Sequence, residues 1–210
     1  MGTSEFDRNF FYYLESEDSL IETHQKAFAE YASLDYPKIV EQLPIKEGDI
    51  VVDLGGGLGV LLNLVINYHE NIHGFVIDLP RTINLAKKHT ANPKICFIEG
   101  DFFKPLNISF HCDVLLISRV LHDWEDSKAI EILTNAKSLL SPNGRICVVE
   151  HIRHFESGKD NVALLNLHMY CIQKGKERTL EEFKYLFEKA GLKMERVERM
   201  DFLSILIARS

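Results

Sequence analysis

Between Asp49 and Ile152 the chain switches hydrophobic period again and again, and that alternation limits the possible folds more than any other feature. "DIVVDL", "IHGFVID", "KICFIEGDF", "CDVLLISRV" and "GRICVVEHI" are short runs rich in β-branched and aromatic residues, separated by stretches of helical spacing. Strands that alternate with helices pair in parallel, with the helices covering both faces of the sheet. After the fifth run, "TLEEFKYLFEKAG" reads as a helix opened by a Thr-x-x-Glu capping box at Thr179 and Glu182 and stopped at Gly191. "KMERVERM" and "FLSILIARS" then follow with almost nothing between them, a gap too short for a crossover, so they are expected to pair antiparallel. The predicted fold class is α/β: a seven-stranded, doubly wound, Rossmann-like sheet with an antiparallel last strand.

Ahead of the sheet, Asp7 to Leu43 has apolar residues three and four apart, with Pro37 marking a break or a new helical start. The expected organisation is a vector-derived leader at 1–6 ("MGTSEF"), a helical lead-in arm of two helices at 7–45, and one ligand-binding domain at 46–210. At 210 residues, with 46% hydrophobic and 26% charged, the chain is long enough for one well-buried core. A net charge of -7 without a dense Lys/Arg run argues against nucleic acid as a partner. The longest apolar runs, such as Val114 to Ser118, fall far short of the ~20 residues a membrane helix needs, so no membrane span is expected. Cys96, Cys112, Cys147 and Cys171 form no CxxC pair, and no secretory signal precedes them. They are expected to be buried free thiols of a cytoplasmic protein.

The chemistry gathers at strand ends. "VVDLGGGLG" sets Gly55, Gly56, Gly57 and Gly59 between a buried strand and a helix, where missing Cβ atoms let a ligand lie against the turn. Asp78 ends the next strand about 20 residues further on, where a carboxylate can accept hydrogen bonds from ribose hydroxyls. "EGDFF" then places Asp101 and Phe102 on the same rim. Each piece also has a purely structural reading: a tight turn, a helix cap before Pro80, a turn residue. Together they converge on the crevice where open α/β sheets bind ligands. A dinucleotide prefers a spaced Gly-x-Gly-x-x-Gly, and Val60 stands in place of the third glycine, which tilts the reading from NAD toward S-adenosylmethionine. That ligand tolerates a nearby carboxylate such as Asp53.

With these pieces in order, "VVDLGGGLG", "FVIDLP", "EGDFF", "SRVLHDWEDSKAIEIL", "GRICVVEHI", "LHMY" and "GKERTLEEFKYLFEKAGL" resemble the plant caffeate and isoflavone O-methyltransferases and the related hydroxyindole O-methyltransferases, over about Ala27 to Ala208. The resemblance implies S-adenosyl-L-methionine as cofactor, S-adenosyl-L-homocysteine as product, and no metal. It makes His122 the general base, with Glu150 and Glu177 flanking its imidazole. Gly55, Gly56, Gly57, Asp78, Leu79, Asp101 and Phe102 would contact the cofactor, with Arg119 near the adenine. Asp123 would support the loop or the methionine end. His168 and Met169, in "LHMY", match a pocket-lining position, with a core role as the other reading.

Methyl transfer to a hydroxyl needs alignment and proton removal, and an imidazole near its ordinary pKa of ~6.5 is largely neutral at cytoplasmic pH. A carboxylate on the other ring nitrogen would fix the tautomer and stabilise the imidazolium that forms, and two carboxylates would also raise the ring's basicity, which would help with an aliphatic alcohol. Trp124 is expected to pack at the start of an amphipathic helix reaching Leu140. His24, His69, His73, His89, His111, His151 and His154 show no ligand spacing and are expected on the surface or in loops. Asn166 stands where many relatives have Asp. Full-length relatives also carry an N-terminal dimerisation domain where this chain has only the arm, which leaves the oligomeric state open.

The expected activity is therefore methyl transfer to a substrate hydroxyl. One version is the module of a polyketide or peptide synthase acting on a β-hydroxyl tethered to an acyl carrier protein. The alternative is a free-standing small-molecule phenol O-methyltransferase; an NAD-dependent dehydrogenase and a non-catalytic cofactor-binding domain are the other classes.

Overall fold

The computed structural model describes residues 10–14, 17–69, 71–90, 92–106, 108–153 and 162–210, and the side chains of all but a few of them. The expected leader, His154 and the side chain of His168 lie outside what is described. Seven strands form one sheet: β1 (Ile50–Leu54), β2 (His73–Asp78), β3 (Ile95–Glu99), β4 (Cys112–Ser118), β5 (Leu140–Glu150), β6 (Lys193–Arg199) and β7 (Ser204–Arg209). Their order is β3-β2-β1-β4-β5-β7-β6. β1 to β5 pair in parallel, while β7 lies antiparallel to both β5 and β6. The terminal hairpin expected from its short connection is present.

The helices divide over the two faces. α3 (Pro37–Gln42), α4 (Val60–Tyr68) and α5 (Pro80–His89) supply Ile39, Leu62 and Ile83 to one apolar layer. α6 (Asp126–Lys137) and α8 (Leu180–Lys189) supply Leu133, Phe183 and Phe187 to the other. β1 and β4 are buried along nearly their whole length because both faces are covered, which is why they read as continuous apolar runs. α8 carries the expected capping box: Thr179 accepts from the Glu182 amide, and Glu182 accepts from the Thr179 amide.

Three expectations change. Among the described residues the lead-in arm has three helices where two were expected: α1 (Phe10–Leu14), α2 (Asp18–Asp35) and α3. Pro37 starts α3 at its first turn, as its missing amide allows, whereas α1 is too short for hydrophobic periodicity to reveal. Cys112 and Cys147 are buried, but Cys96 and Cys171 are exposed, Cys96 because β3 is an edge strand of the sheet. His151 is buried rather than superficial, donating from Nδ1 to the Phe202 carbonyl at 2.8 Å with its ring against that phenyl. Among the described residues no helix is long and apolar enough to cross a membrane.

Candidate active site

Strand order reverses direction between β1 and β4, and the loops leaving their C-terminal ends open a crevice there. A cavity of about 1210 Å³, its open mouth included, fills that crevice. Gly55, Gly56, Gly57, Asp78, Leu79, Asp101, Phe102 and Arg119 all line it, so the eight expected cofactor residues are brought to one wall system. The opposite wall is the arm: α1 and α2 contribute Phe11, His24, Gln25, Phe28 and Ala29. Helical periodicity marks the arm as a lead-in but does not say what its polar face meets, so its role as a wall shows only in the fold.

Gly57 has a positive φ of 57°, and a Cβ on it would come within 2.7 Å of the Gln25 side-chain oxygen, so only glycine lets α2 close over the turn. Its amide donates to Asp78 Oδ2 at 2.8 Å, while Asp78 Oδ1 accepts from Leu79 N at 2.7 Å. Asp78 thus ties two strand ends together, one residue ahead of Leu79, the N-cap of α5. Asp101 organises its own turn by accepting from the Phe103 amide. Arg119, at φ 54°, directs its guanidinium to α2, 3.5 Å from Asp35 and over the rings of Phe28 and Tyr31.

Asp53 tests which ligand suits this cavity. It is 1% exposed, lies on the wall, and neither carboxylate oxygen has a protein hydrogen-bond partner. Burial, with the Asp78 charge adding, pushes it up to about 7. A buried acid left this way suits a ligand that brings a cationic amino group, and the acid at the end of β2 suits a diol. The residues present fit S-adenosylmethionine.

Next to the cavity, the chain leaves β4 through a single 3-10 turn, Leu121–Asp123, that carries His122. The ring is 4% exposed and donates from Nδ1 to Glu177 Oε1 at 2.8 Å, with Glu150 Oε2 3.5 Å away. Glu150 acts mainly on the backbone: its Oε1 accepts from the amides of Val120, Leu121 and His122 at 3.0, 2.9 and 3.4 Å. On the other ring nitrogen, Nε2 faces Asp123 Oδ1 at 3.5 Å. Burial works against the imidazolium, but the carboxylates of Glu150, Asp123 and Glu177 outweigh it and push His122 up to about 10. The direction is the one that flanking carboxylates imply, and its size takes the ring well above its ordinary value. The ligand atoms of His122, Glu150 and Glu177 lie within 4.8 Å of one another. One Glu177 oxygen holds the ring N–H and one Glu150 oxygen holds amides, while Glu150 Oε2 and Glu177 Oε2 are buried without a hydrogen-bond partner.

The segment 175–179 clamps this turn. A Cβ on Gly175 would collide with the His122 carbonyl oxygen and come within 2.8 Å of the Asp123 backbone. The Lys176 amide donates to the His122 carbonyl at 2.9 Å. Fully buried Arg178 donates to the carbonyls of Leu121 and Trp124, both at 2.6 Å, and pairs with Asp126. Asn166 of α7 (Val162–Gln173) accepts from the Glu177 amide at 2.8 Å, which positions the ring's partner. Sequence reading named Glu177 and missed Arg178, whose contacts reach back more than fifty positions. Met169 is buried on α7 but is not on the cavity wall, and neither is His122 itself; Asp123 and Trp124 are. Trp124 packs as expected, stacking on Phe11 and meeting Phe102 and Phe103 edge-on, and it also faces the cavity.

Residues 2–193 of the chain match the family model of the O-methyltransferase domain. The chain belongs to the O-methyltransferase family. It is 31% identical to the phenazine O-methyltransferase PhzM of Lysobacter antibioticus over 98% of this chain and 61% of that protein. Among solved structures, human N-acetylserotonin methyltransferase in complex with S-adenosylmethionine superposes with a TM-score of 0.88 at 26% identity, covering 100% of this chain and 60% of that one. NcsB1, a neocarzinostatin-biosynthesis O-methyltransferase solved with S-adenosylhomocysteine and 1,4-dihydroxy-2-naphthoic acid, gives 0.87 at 28% identity, covering 96% and 61%. The chain spans about two fifths to two thirds of the length of the curated relatives it matches.

Proposed function

We propose that this methyltransferase domain moves the methyl group of S-adenosylmethionine to the hydroxyl of a small aromatic or enolic acceptor, with His122 as general base. The observation that carries this reading is the buried His122–Glu177 pair, set on a clamped turn beside a cavity that holds Asp53 and Asp78. Bound S-adenosylmethionine supplies an electrophilic methyl on a sulfonium. Asp53 would face its ammonium, Asp78 its ribose hydroxyls, and Leu79, Asp101 and Phe102 the adenine end, with Arg119 nearby. Glu177 holds the ring so that Nε2 is the nitrogen available to the acceptor, and Glu150 holds the backbone beneath it.

The acceptor class follows from proton affinity. A base raised to about 10 matches a phenol, whose pKa is ~10, far better than an aliphatic hydroxyl, which lies near that of water at ~16. The aromatic wall of Phe11, Phe28, Phe103 and Trp124 suits a flat ring. Relatives named for phenazine and acetylserotonin, and one solved with a dihydroxynaphthoic acid, are in keeping with that class. An aliphatic β-hydroxyl on a carrier protein, the other version, has neither feature in its favour. The unpaired cysteines suit a reducing cytoplasm.

The test is incubation with S-adenosylmethionine and either free hydroxyaromatics, 1,4-dihydroxy-2-naphthoic acid and N-acetylserotonin among them, or carrier-bound β-hydroxyacyl chains, with methyl transfer read by mass. Transfer to free phenols is expected, and turnover of carrier-bound chains alone would overturn the acceptor class. His122→Ala is expected to cost about 10²–10⁴-fold in kcat with S-adenosylhomocysteine affinity nearly unchanged; retained turnover would remove His122 from the role.

A further inference from the structure

We propose that Asp123 is the proton relay of His122, taking the ring's Nε2 proton and passing it to the cavity, both to arm the base before transfer and to reset it afterwards. The inference rests on the function proposed above and adds a residue to it. On the Nδ1 side of the ring there is no way out: Glu150 and Glu177 are each 0% exposed and belong to the clamped interior. On the Nε2 side stands Asp123 Oδ1 at 3.5 Å, and Asp123 lines the cavity whereas His122 does not. Any proton exchanged between the imidazole and water therefore meets this carboxyl first.

The need for a relay comes from the ring's own state. An imidazole raised to about 10 carries two protons at neutral pH, and a base must first give one up. Asp123 accepts the Nε2 proton through an oxygen lone pair, the N–H electron pair returns to nitrogen, and the carboxyl releases the proton to water. The neutral Nε2 then takes the acceptor's hydroxyl proton as the C–O bond forms, with the electron pair of the broken C–S bond staying on sulfur. The same exit discharges the ring after transfer. The charged groups facing Asp123 are His122, Glu150, Glu177 and Arg119, while the Lys176 ammonium is turned to Asp126 and Glu182. Burial, against the pull of His122, pushes Asp123 up to about 7, so the carboxyl exchanges protons readily near neutrality.

The experiment follows the His122 Nε2–H by nuclear magnetic resonance in the full chain labelled with ¹⁵N-imidazole, and needs no acceptor. Asp123→Asn is expected to slow exchange of that proton with water about a hundredfold. Asp123→Glu should restore most of it, and added formate should rescue exchange in Asp123→Ala, a response that a merely structural role would not give. Unchanged exchange in Asp123→Asn, with the ring still bonded to Glu177, would overturn the relay. Failure of wild-type protein to methylate any acceptor would instead overturn the proposed function, leaving the exchange result to decide the relay alone.

Discussion

With Asp53 buried and unpartnered, its neutral form dominates in the folded chain at pH values where the unfolded chain is ionised. The sign follows: an acid raised from 3.8 to about 7 contributes stability that is complete below about pH 3.8 and is lost progressively as pH rises from there to about 7. Without ligand, Asp53→Asn is therefore expected to be near neutral in urea unfolding at about pH 3 and to stabilise by a few kcal/mol at about pH 8. Equal effects at the two pH values would contradict the assignment. Asp53 was legible as a carboxylate near the site, and His122, Glu150 and Glu177 were legible from their motifs. The size of the rise in His122's affinity for its proton was not. It depends on three carboxylates from positions 123, 150 and 177 meeting one ring, and no local pattern reports how much water they exclude.

At the scale of elements, the segment 175–179 and the 3-10 turn form one unit, since each supplies hydrogen bonds that the other cannot find in water. Gly175→Ala forces a Cβ into the His122 carbonyl, and an overpacking cost of about 1–3 kcal/mol should appear as a melting temperature lower by several degrees together with reduced turnover. Thr179→Ala removes only the α8 cap, about 1 kcal/mol, and should lower the melting temperature by about 2–4 °C with kcat preserved. If the two variants lost activity equally, the clamp would not be what positions His122. The cap could be read from "TLEE" because capping is local. The clamp could not, because Arg178 and Leu121 meet only after the sheet has formed.

For the molecule as a whole, strand count and the antiparallel ending followed from period and connection length, because parallel pairing and crossover geometry leave few choices, whereas the strand order is fixed by packing that the sequence does not spell out. The arm did not, since its contact with the glycine turn is made by side chains such as Gln25 that any solvated helix might carry. A ligand held between arm and sheet should stabilise the chain: S-adenosylhomocysteine at about 100 times its Kd is expected to raise the melting temperature by roughly 5–10 °C, and NAD to leave it unmoved. The reverse outcome would return the cavity to the dinucleotide class. α2 closing over Gly57 also bears on speed. A molecule the size of the spent cofactor has to pass the mouth or lift the helix, so its departure, rather than carbon–oxygen bond formation, should pace repeated cycles. Rapid mixing would then register one fast equivalent of methylated product per enzyme, followed by a slower steady climb.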